Sequence, residues 1–405
     1  MAYDWFLGMD CGATAHAGCL LDANGRVVLA RVVAHNAAAI TAFFAEILQV
    51  THAEASRIAV GLEVPRGAVI DALFERGFAV FAINPKQLDR CRDRYTAAGA
   101  KDDRRDAWVL ADVLRTTPNA FRRAIVDDAW VVEVRELSRL AEELEADVRR
   151  LANRLREQIH RVAPALLALC PAADEPWLWS LWDRAPTAAT RRRLTVSRLI
   201  TLLQRHHVRR VTASELRTVL MTADFPLPAG LETAVGARIA ALLPQLRAAA
   251  DQRHQTHRRL KRLLAVDDEQ GEHHDVRIVR SLPGVGTLVA AAVLGEASEP
   301  LRARNYHTLR TLTGAAPVTK QSGKMRLVHM RYCCNPRLRQ ALYHWARCSI
   351  QRDDGARAYY ARLRQRGISH GAALRRLSDR WLRILIAMLR QQSVYDATRW
   401  CASAA

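Results

Sequence analysis

The chain has 405 residues, enough for two or three domains with substantial cores. Half of its residues are hydrophobic, which excludes a disordered tail, and a formal charge of +20, carried mostly by arginine, points to a polyanionic partner. Ribosomal-type and membrane-surface proteins share such a charge, but no apolar stretch reaches the ~18 residues needed to span a bilayer.

In chain order, residues 4–11, 16–22 and 26–33 run apolar or alternate, with Asn24-Gly25 between the last two. This predicts a three-strand antiparallel meander. A helical pattern at 37–50 follows, then a strand at 57–62, a helix at 66–76, a strand at 78–83 and a helix at 101–117. The order βββ-α-β-α-β-α is that of an α/β ribonuclease H-like fold, with the later strands parallel. In that topology Asp10 lies mid-sheet on the first strand, and Glu63 ends the neighbouring fourth strand.

The reading divides the chain into a first domain at 1–127, a helical middle at 128–275 and a mainly α part at 276–400. Leu137, Leu140, Leu144, Leu151 and Leu155 have heptad-like spacing, which predicts a coiled coil or helical hairpin. Further helical stretches are expected at 195–222 and 230–266. Ser281-Leu282-Pro283-Gly284-Val285-Gly286 before an apolar helix carries a helix-hairpin-helix pattern, whose amides can approach a DNA phosphate. A plain helical turn reads equally well. No glutamate follows Glu299, while Arg326, Arg331, Arg337, Arg339, Arg375, Arg376, Arg380 and Arg383 recur, so nucleic-acid contact is expected here.

Eight scattered cysteines show no Cys-x-x-Cys pair, which argues against zinc and for a reduced, cytosolic chain. No signal peptide is expected from the first residues.

Four acids carry the chemistry. Asp10 closes Trp5-Phe6-Leu7-Gly8-Met9, and Glu63 closes Ile58-Ala59-Val60-Gly61-Leu62. Asp103 and Asp106 stand three apart on one helix face. Carboxylates gathered at strand ends need a neutralising cation, and hard oxygen ligands suit Mg²⁺ or Mn²⁺. Taken singly, each acid reads equally as a cap, a solvated strand end or half of an ion pair.

Leu7-Gly8-Met9-Asp10, Gly61-Leu62-Glu63 and Lys101-x-Asp103-x-x-Asp106-Ala107 resemble the DEDD motif of transposases from bacterial insertion sequences that excise as circles. Leu312-Thr313-Gly314-Ala315-Ala316-Pro317 followed by Ser322-Gly323 resembles that family's serine motif. Asn335 to Leu342 and the stretch from Tyr359-Tyr360 to Gly367 are similar too. Asp102 stands where the family often has Thr or Ser, and Asp103 is preferred as ligand for its spacing to Asp106. The resemblance implies a RuvC-like first domain and Asp10, Glu63, Asp103 and Asp106 as Mg²⁺ ligands. It also implies Ser322 as nucleophile, a structured guide RNA pairing with donor and target DNA, and a dimer or tetramer with composite sites. Three other functions stay open: a RuvC-like nuclease that needs the acids but not Ser322, a non-catalytic nucleic-acid-binding protein, and an actin-like ATP-dependent kinase. The last lacks a glycine-rich adenosine motif.

Overall fold

The computed structural model describes residues 3–63, 67–95, 102–222, 227–265, 274–323 and 325–398. They form two compact units, 1–126 and 127–405.

The first unit is mixed α/β. Its strands are β1 (Trp5–Cys11), β2 (Ala15–Asp22), β3 (Val27–Ala34), β4 (Ile58–Leu62) and β5 (Ala79–Ala82), in the order β3-β2-β1-β4-β5. A two-residue strand, β6 (Arg122–Arg123), adds antiparallel to β5. β1 pairs antiparallel with β2 and parallel with β4, in the register Met9↔Leu62. The β2–β3 turn closes as Asp22 Oδ1 accepts from the amides of Asn24 and Arg26, with Gly25 at φ +85°. This is the predicted hairpin, for the predicted reason.

Helices cover both faces of the sheet. α1 (Ala37–Thr51) and α2 (Ala68–Glu75) bury Ile40, Phe43, Phe44, Ile47, Val69, Ile70 and Leu73 against Leu7, Met9, Leu20 and Val60. On the other face, α4 (Asp103–Thr116) packs Ala107, Ala111 and Leu114 against Phe6, Ala17, Cys19, Leu21 and Ala59. A helix the sequence reading left out, α3 (Pro85–Tyr95), lies against α4 through Leu88. It buries one leucine among charged residues, so it carries no apolar stripe to read.

Two glycines let α4 lie close to the sheet. A Cβ on Gly8 would stand 2.6 Å from Ala111 N and closer still to Ala107 O. One on Gly61 would stand 3.1 Å from Leu110 O.

The second unit is built on two long helices, α5 (Ala129–Val162) and α10 (Leu231–Leu263). Trp130 Nε1 donates to Leu263 O at 3.3 Å, Arg259 pairs with Glu133, and Arg253 Nη1 reaches Glu145 at 3.0 Å. Residue numbers rise along one helix as they fall along the other, so the pair is antiparallel. Leu144, Leu151 and Leu155 are buried as the spacing predicts, but Leu140 faces solvent at 41% exposure. An antiparallel pair with other helices packed at both ends does not require every heptad position inside.

One core holds the far halves of α5 and α10 with α6 (Pro176–Arg184), α7 (Ala188–Arg192), α8 (Val196–Arg205) and α9 (Ala213–Met221). The single helix expected at 195–222 is thus α8 and α9, parted by a turn with His207 at positive φ. The other core joins the near halves to α11 (His274–Ser281), α12 (Thr287–Glu296), α13 (Ser298–Arg302), α14 (Tyr306–Leu312), α15 (Pro336–Arg352), α16 (Asp354–Gln365) and α17 (His370–Gln391). Trp345 and Trp381 stack at its centre, 5.8 Å between ring centroids. A β-hairpin not expected in this mainly helical region, β7 (Val318–Ser322) with β8 (Met325–His329), follows α14.

Gly8→Ala should cost about 3 kcal/mol of the first unit's stability, because the clash is with helix backbone. Gly236→Ala, mid-helix in α10 with nothing within 4 Å of its Cβ, should instead stabilise by about 0.5–1 kcal/mol. Chemical denaturation of both variants checks the pair.

Candidate carboxylate site and serine hairpin

Side chains alternate along β1, so Phe6, Gly8 and Asp10 share the face covered by α4, while Leu7 and Met9 face α1 and α2. By the same alternation Gly61 lies on the α4 face of β4, and Glu63 follows just past the strand's end. β4 ends at Leu62, which pairs with Met9, so Asp10, the next residue of β1, and Glu63, just past the end of β4, lie at the same end of adjacent strands. Both are partly buried.

The direction of α4 decides what meets them. Its last turn lies at the start of β1: Arg115 Nη1 donates to Ala23 O at 3.3 Å, in the turn after Asp22, and Asp22 pairs with Trp5. The helix therefore runs antiparallel to β1. Its first turn, with Asp103 and Asp106, lies at the end where Asp10 and Glu63 sit. Asp102 is occupied as the N-cap, its carboxylate accepting from Arg104 N at 3.2 Å.

Asp106 is 1% exposed. Arg92 of α3 clasps it with two bonds, Nε to Oδ1 and Nη2 to Oδ2, each 2.6 Å. The same guanidinium pairs with Asp89. Burial works against the charge of Arg92, but its bond to Asp106 and the charges of Asp106, Asp89 and Glu63 hold its pKa above the ordinary range. Arg92 thus lies within the field of the carboxylate group. Tyr95 ties the end of α3 to α4 through Asp112, and burial followed by that contact pushes the phenol up to about 12.

The donors are all carboxylate oxygens at one end of the sheet, three of them reachable from solvent. No three of these donor atoms lie within 4.8 Å of one another, so the set fits a hard divalent cation that takes one or two carboxylates and completes its shell with water. Among the described residues, the one trio whose donor atoms all lie within 4.8 Å of one another is Cys170, Asp174 and Glu175, elsewhere in the chain. Burial, followed by the charges of Glu175 and Asp174, pushes the Cys170 thiol up to about 11, and Glu175 already accepts from Trp177 Nε1 and pairs with Arg210. Such a protonated thiol is a poor metal ligand.

Ser322 ends β7 at the tip of the hairpin, opposite Met325, with Gly323 at φ +53° in the turn. The hairpin is exposed along nearly its whole length, but its root is held. Arg331 Nε donates to Ala316 O at 3.3 Å, and Arg339 Nη2 to the carbonyls of Arg331 and Tyr332 at 2.7 and 3.1 Å. Gly314, at φ +76°, lets Cys334 pack against its Cα, where a Cβ would lie 2.9 Å from the sulfur. Asn335 caps α15 by accepting from the amides of Arg337 and Leu338. Its Nδ2 donates to Glu296 at 2.8 Å, and Arg139 clasps the same carboxylate. The Asn335-Pro336-Arg337-Leu338 stretch is therefore a helix start that anchors the serine hairpin.

Two family models match this chain. Residues 7–164 match one described as a transposase of the DEDD type, and residues 276–361 match one described as the IS116/IS110/IS902 transposase family. The Mini-circle putative transposase for IS117 of Streptomyces coelicolor is 30% identical over 97% of this chain and 96% of its own length. The chain belongs to the IS110/IS116/IS902 family of transposases. A putative transposase, y4uE, of Sinorhizobium fredii is 46% identical over 209 residues, 51% of this chain and 58% of that protein. The Insertion element IS110 43.6 kDa protein of Streptomyces coelicolor is 28% identical over 97% of this chain. The first matched segment holds all four acids and Arg92; the second holds Ser322 and Asn335. Arg92 escaped the sequence reading because nothing near it repeats or alternates.

Glu296 supplies a pH prediction. Burial alone would raise its pKa, but the bonds to Arg139 and Asn335 prevail and hold it below the ordinary 4.5. A depressed carboxylate contributes stability in full above its unfolded pKa, and that contribution fades as pH falls through the folded value. The second unit should therefore lose stability below about pH 4.5. Glu296→Ala should remove about 1–2 kcal/mol at neutral pH, because Arg139 keeps Glu136 but loses its more buried partner and Asn335 Nδ2 loses its acceptor. Thermal melts at pH 3 to 7 on both forms check this.

Proposed function

We propose that this transposase cuts and rejoins DNA through a phosphoserine, with Asp10, Glu63, Asp103 and Asp106 holding Mg²⁺ or Mn²⁺ on a ribonuclease H-like, RuvC-like domain and Ser322 as the attacking group. One observation carries the reading. Two strand-end carboxylates and the acidic first turn of α4 occupy the same end of the sheet. Family membership supplies DNA as the substrate.

In the proposed reaction the Ser322 oxygen bonds to phosphorus while one phosphorus–deoxyribose oxygen bond breaks. The serine gives up its proton, and the departing deoxyribose oxygen gains one. Rejoining reverses the step with a hydroxyl from another strand, so the bond energy is kept and no ATP is needed. A divalent cation, when bound, would neutralise charge on the phosphoryl oxygens and favour the serine alkoxide. Lys320 lies two residues before Ser322 on the same strand face and brings positive charge to the phosphate. We read the site as composite, with Ser322 of one protomer serving the carboxylates of another in a dimer or tetramer. Sequence choice would come from a structured guide RNA pairing with donor and target DNA, by the logic of other guided systems.

The arginines support a division of labour. Arg337 pairs with Glu142 and Glu143, and Arg331 and Arg339 hold the hairpin root. Arg376, Arg380, Arg383 and Arg390 fall at i, i+4, i+7 and i+14 along one face of α17. Arg380 lies over the ring of Tyr359 at 5.0 Å and Arg383 over Tyr306 at 5.5 Å. Arg304, His307, Arg383 and Arg390 line a shared surface groove. We read this face as a rail for nucleic-acid phosphates. The turn Leu282–Gly286, between α11 and α12, fits a helix-hairpin-helix contact, with Gly286 exposed at the start of α12. The expected setting is the bacterial cytosol; among the described residues, no helix is long and apolar enough to cross a membrane.

Two experiments test the reading. Asp10→Asn should abolish strand exchange while DNA binding survives, and Ser322→Ala should abolish both cleavage and rejoining. Cleavage that persists in Ser322→Ala would point to a simple nuclease with a water nucleophile. Separately, changing Arg376, Arg383 and Arg390 together to Gln should lower the slope of log affinity against log salt by about three. An unchanged slope would place the phosphates elsewhere.

A further inference from the structure

We propose that Arg92 is the resident counter-ion of the carboxylate site, holding Asp106 until a divalent cation arrives and then giving it up. The inference rests on reading the four acids as a cation site, and goes beyond it by naming what occupies one of them beforehand.

A carboxylate as deeply buried as Asp106 cannot stand alone without a cation. Arg92 supplies one through a planar two-point clasp that takes a bond to each carboxylate oxygen. A carboxylate so held presents little lone-pair density to a metal ion. Yet Asp106 lies on the acidic first turn of α4, beside the strand ends that carry Asp10 and Glu63. Arg92 and a divalent cation therefore compete for the same oxygens. Arg92 has somewhere to go. It also bonds Asp89, one turn earlier on its own helix, whose side chain is 65% exposed, and its own side chain is 21% exposed. Swinging from the buried Asp106 towards the exposed Asp89 keeps the guanidinium paired and moves it towards water. The carboxylate group thus stays neutralised in both conditions, by arginine before loading and by metal after it. Arg92 is a positioning residue in this account: it acts through Asp106.

The test is Mn²⁺ binding to the full-length protein, measured by calorimetry and by the loss of the free-ion EPR signal. Arg92→Gln removes the competitor, and should bind Mn²⁺ about tenfold more tightly than wild type. Arg92→Lys keeps the charge but loses the fork, and should fall between the two. It also serves if the Gln variant does not fold. In an Asp106→Asn background the change Arg92→Gln should have little further effect, because the contested carboxylate is gone. Without metal, Arg92→Gln should melt below wild type, and saturating Mn²⁺ should narrow that gap. Equal or weaker Mn²⁺ binding by Arg92→Gln overturns the proposal, as does a tenfold gain that persists unchanged in the Asp106→Asn background. The latter would mark a general charge effect. Asp10→Asn separates the two readings. If it leaves Mn²⁺ binding intact, the ion is bound elsewhere and the cation-site reading fails together with this one. If it removes binding while Arg92→Gln does nothing, only the role given to Arg92 fails.

Discussion

The close approach of α4 to the central strands governs the rest of the first unit. Gly8 and Gly61 give up their side chains so that the helix backbone can rest against β1 and β4. That contact fixes the height of α4 on the sheet. The height, together with the antiparallel direction set by Arg115 and the β2–β3 turn, delivers Asp103 and Asp106 to the strand ends. A bulkier residue at Gly8 would lift the helix and part the acidic turn from Asp10 and Glu63. Two residues without side chains are therefore what places the acids.

The carboxylate group needs balancing charge, and the protein supplies it locally. The macrodipole at the start of α4 favours Asp103 and Asp106. Arg92 neutralises the buried one directly. Elsewhere the chain carries a large excess of arginine, but much of it is tied down. Arg135 holds Asp127 and Gly295 O, Arg139 holds Glu296, and Arg304 holds Asp275. Net charge thus overstates the surface on offer to a polyanion. On the face of α17, Arg380 and Arg383 lie over the rings of Tyr359 and Tyr306. Burial lowers the pKa of Arg380, with Arg362 and Arg383 close by adding to the effect.

How much of this was legible in the sequence follows from how each element is buried. β1, β2, β4, α1 and α4 carry dense apolar patterns because they face a core, and their bounds were readable to within a residue or two. That β1 and β4 are neighbours, with Asp10 and Glu63 at the same end, followed from strand order alone. The helix α3 was invisible because its surface is almost wholly charged. The serine hairpin was invisible because neither strand has a buried face, and its exposed Met325, Leu327 and Val328 alternate with nothing behind them. The clasp on Asp106 could not be read from spacing: Arg92 lies fourteen residues away on a different helix. Asp102, by contrast, became legible as soon as the helix start was fixed, since a residue at that place caps the helix and leaves Asp103 and Asp106 for the sheet end.

The central claim is that these scattered carboxylates form one cation site. Anomalous diffraction from crystals soaked in Mn²⁺ tests it most directly. The account predicts a strong peak beside Asp10 and Glu63, against the first turn of α4. Occupied Mn²⁺ peaks only elsewhere, at Cys170, Asp174 and Glu175 for instance, with none at the strand ends, would contradict it.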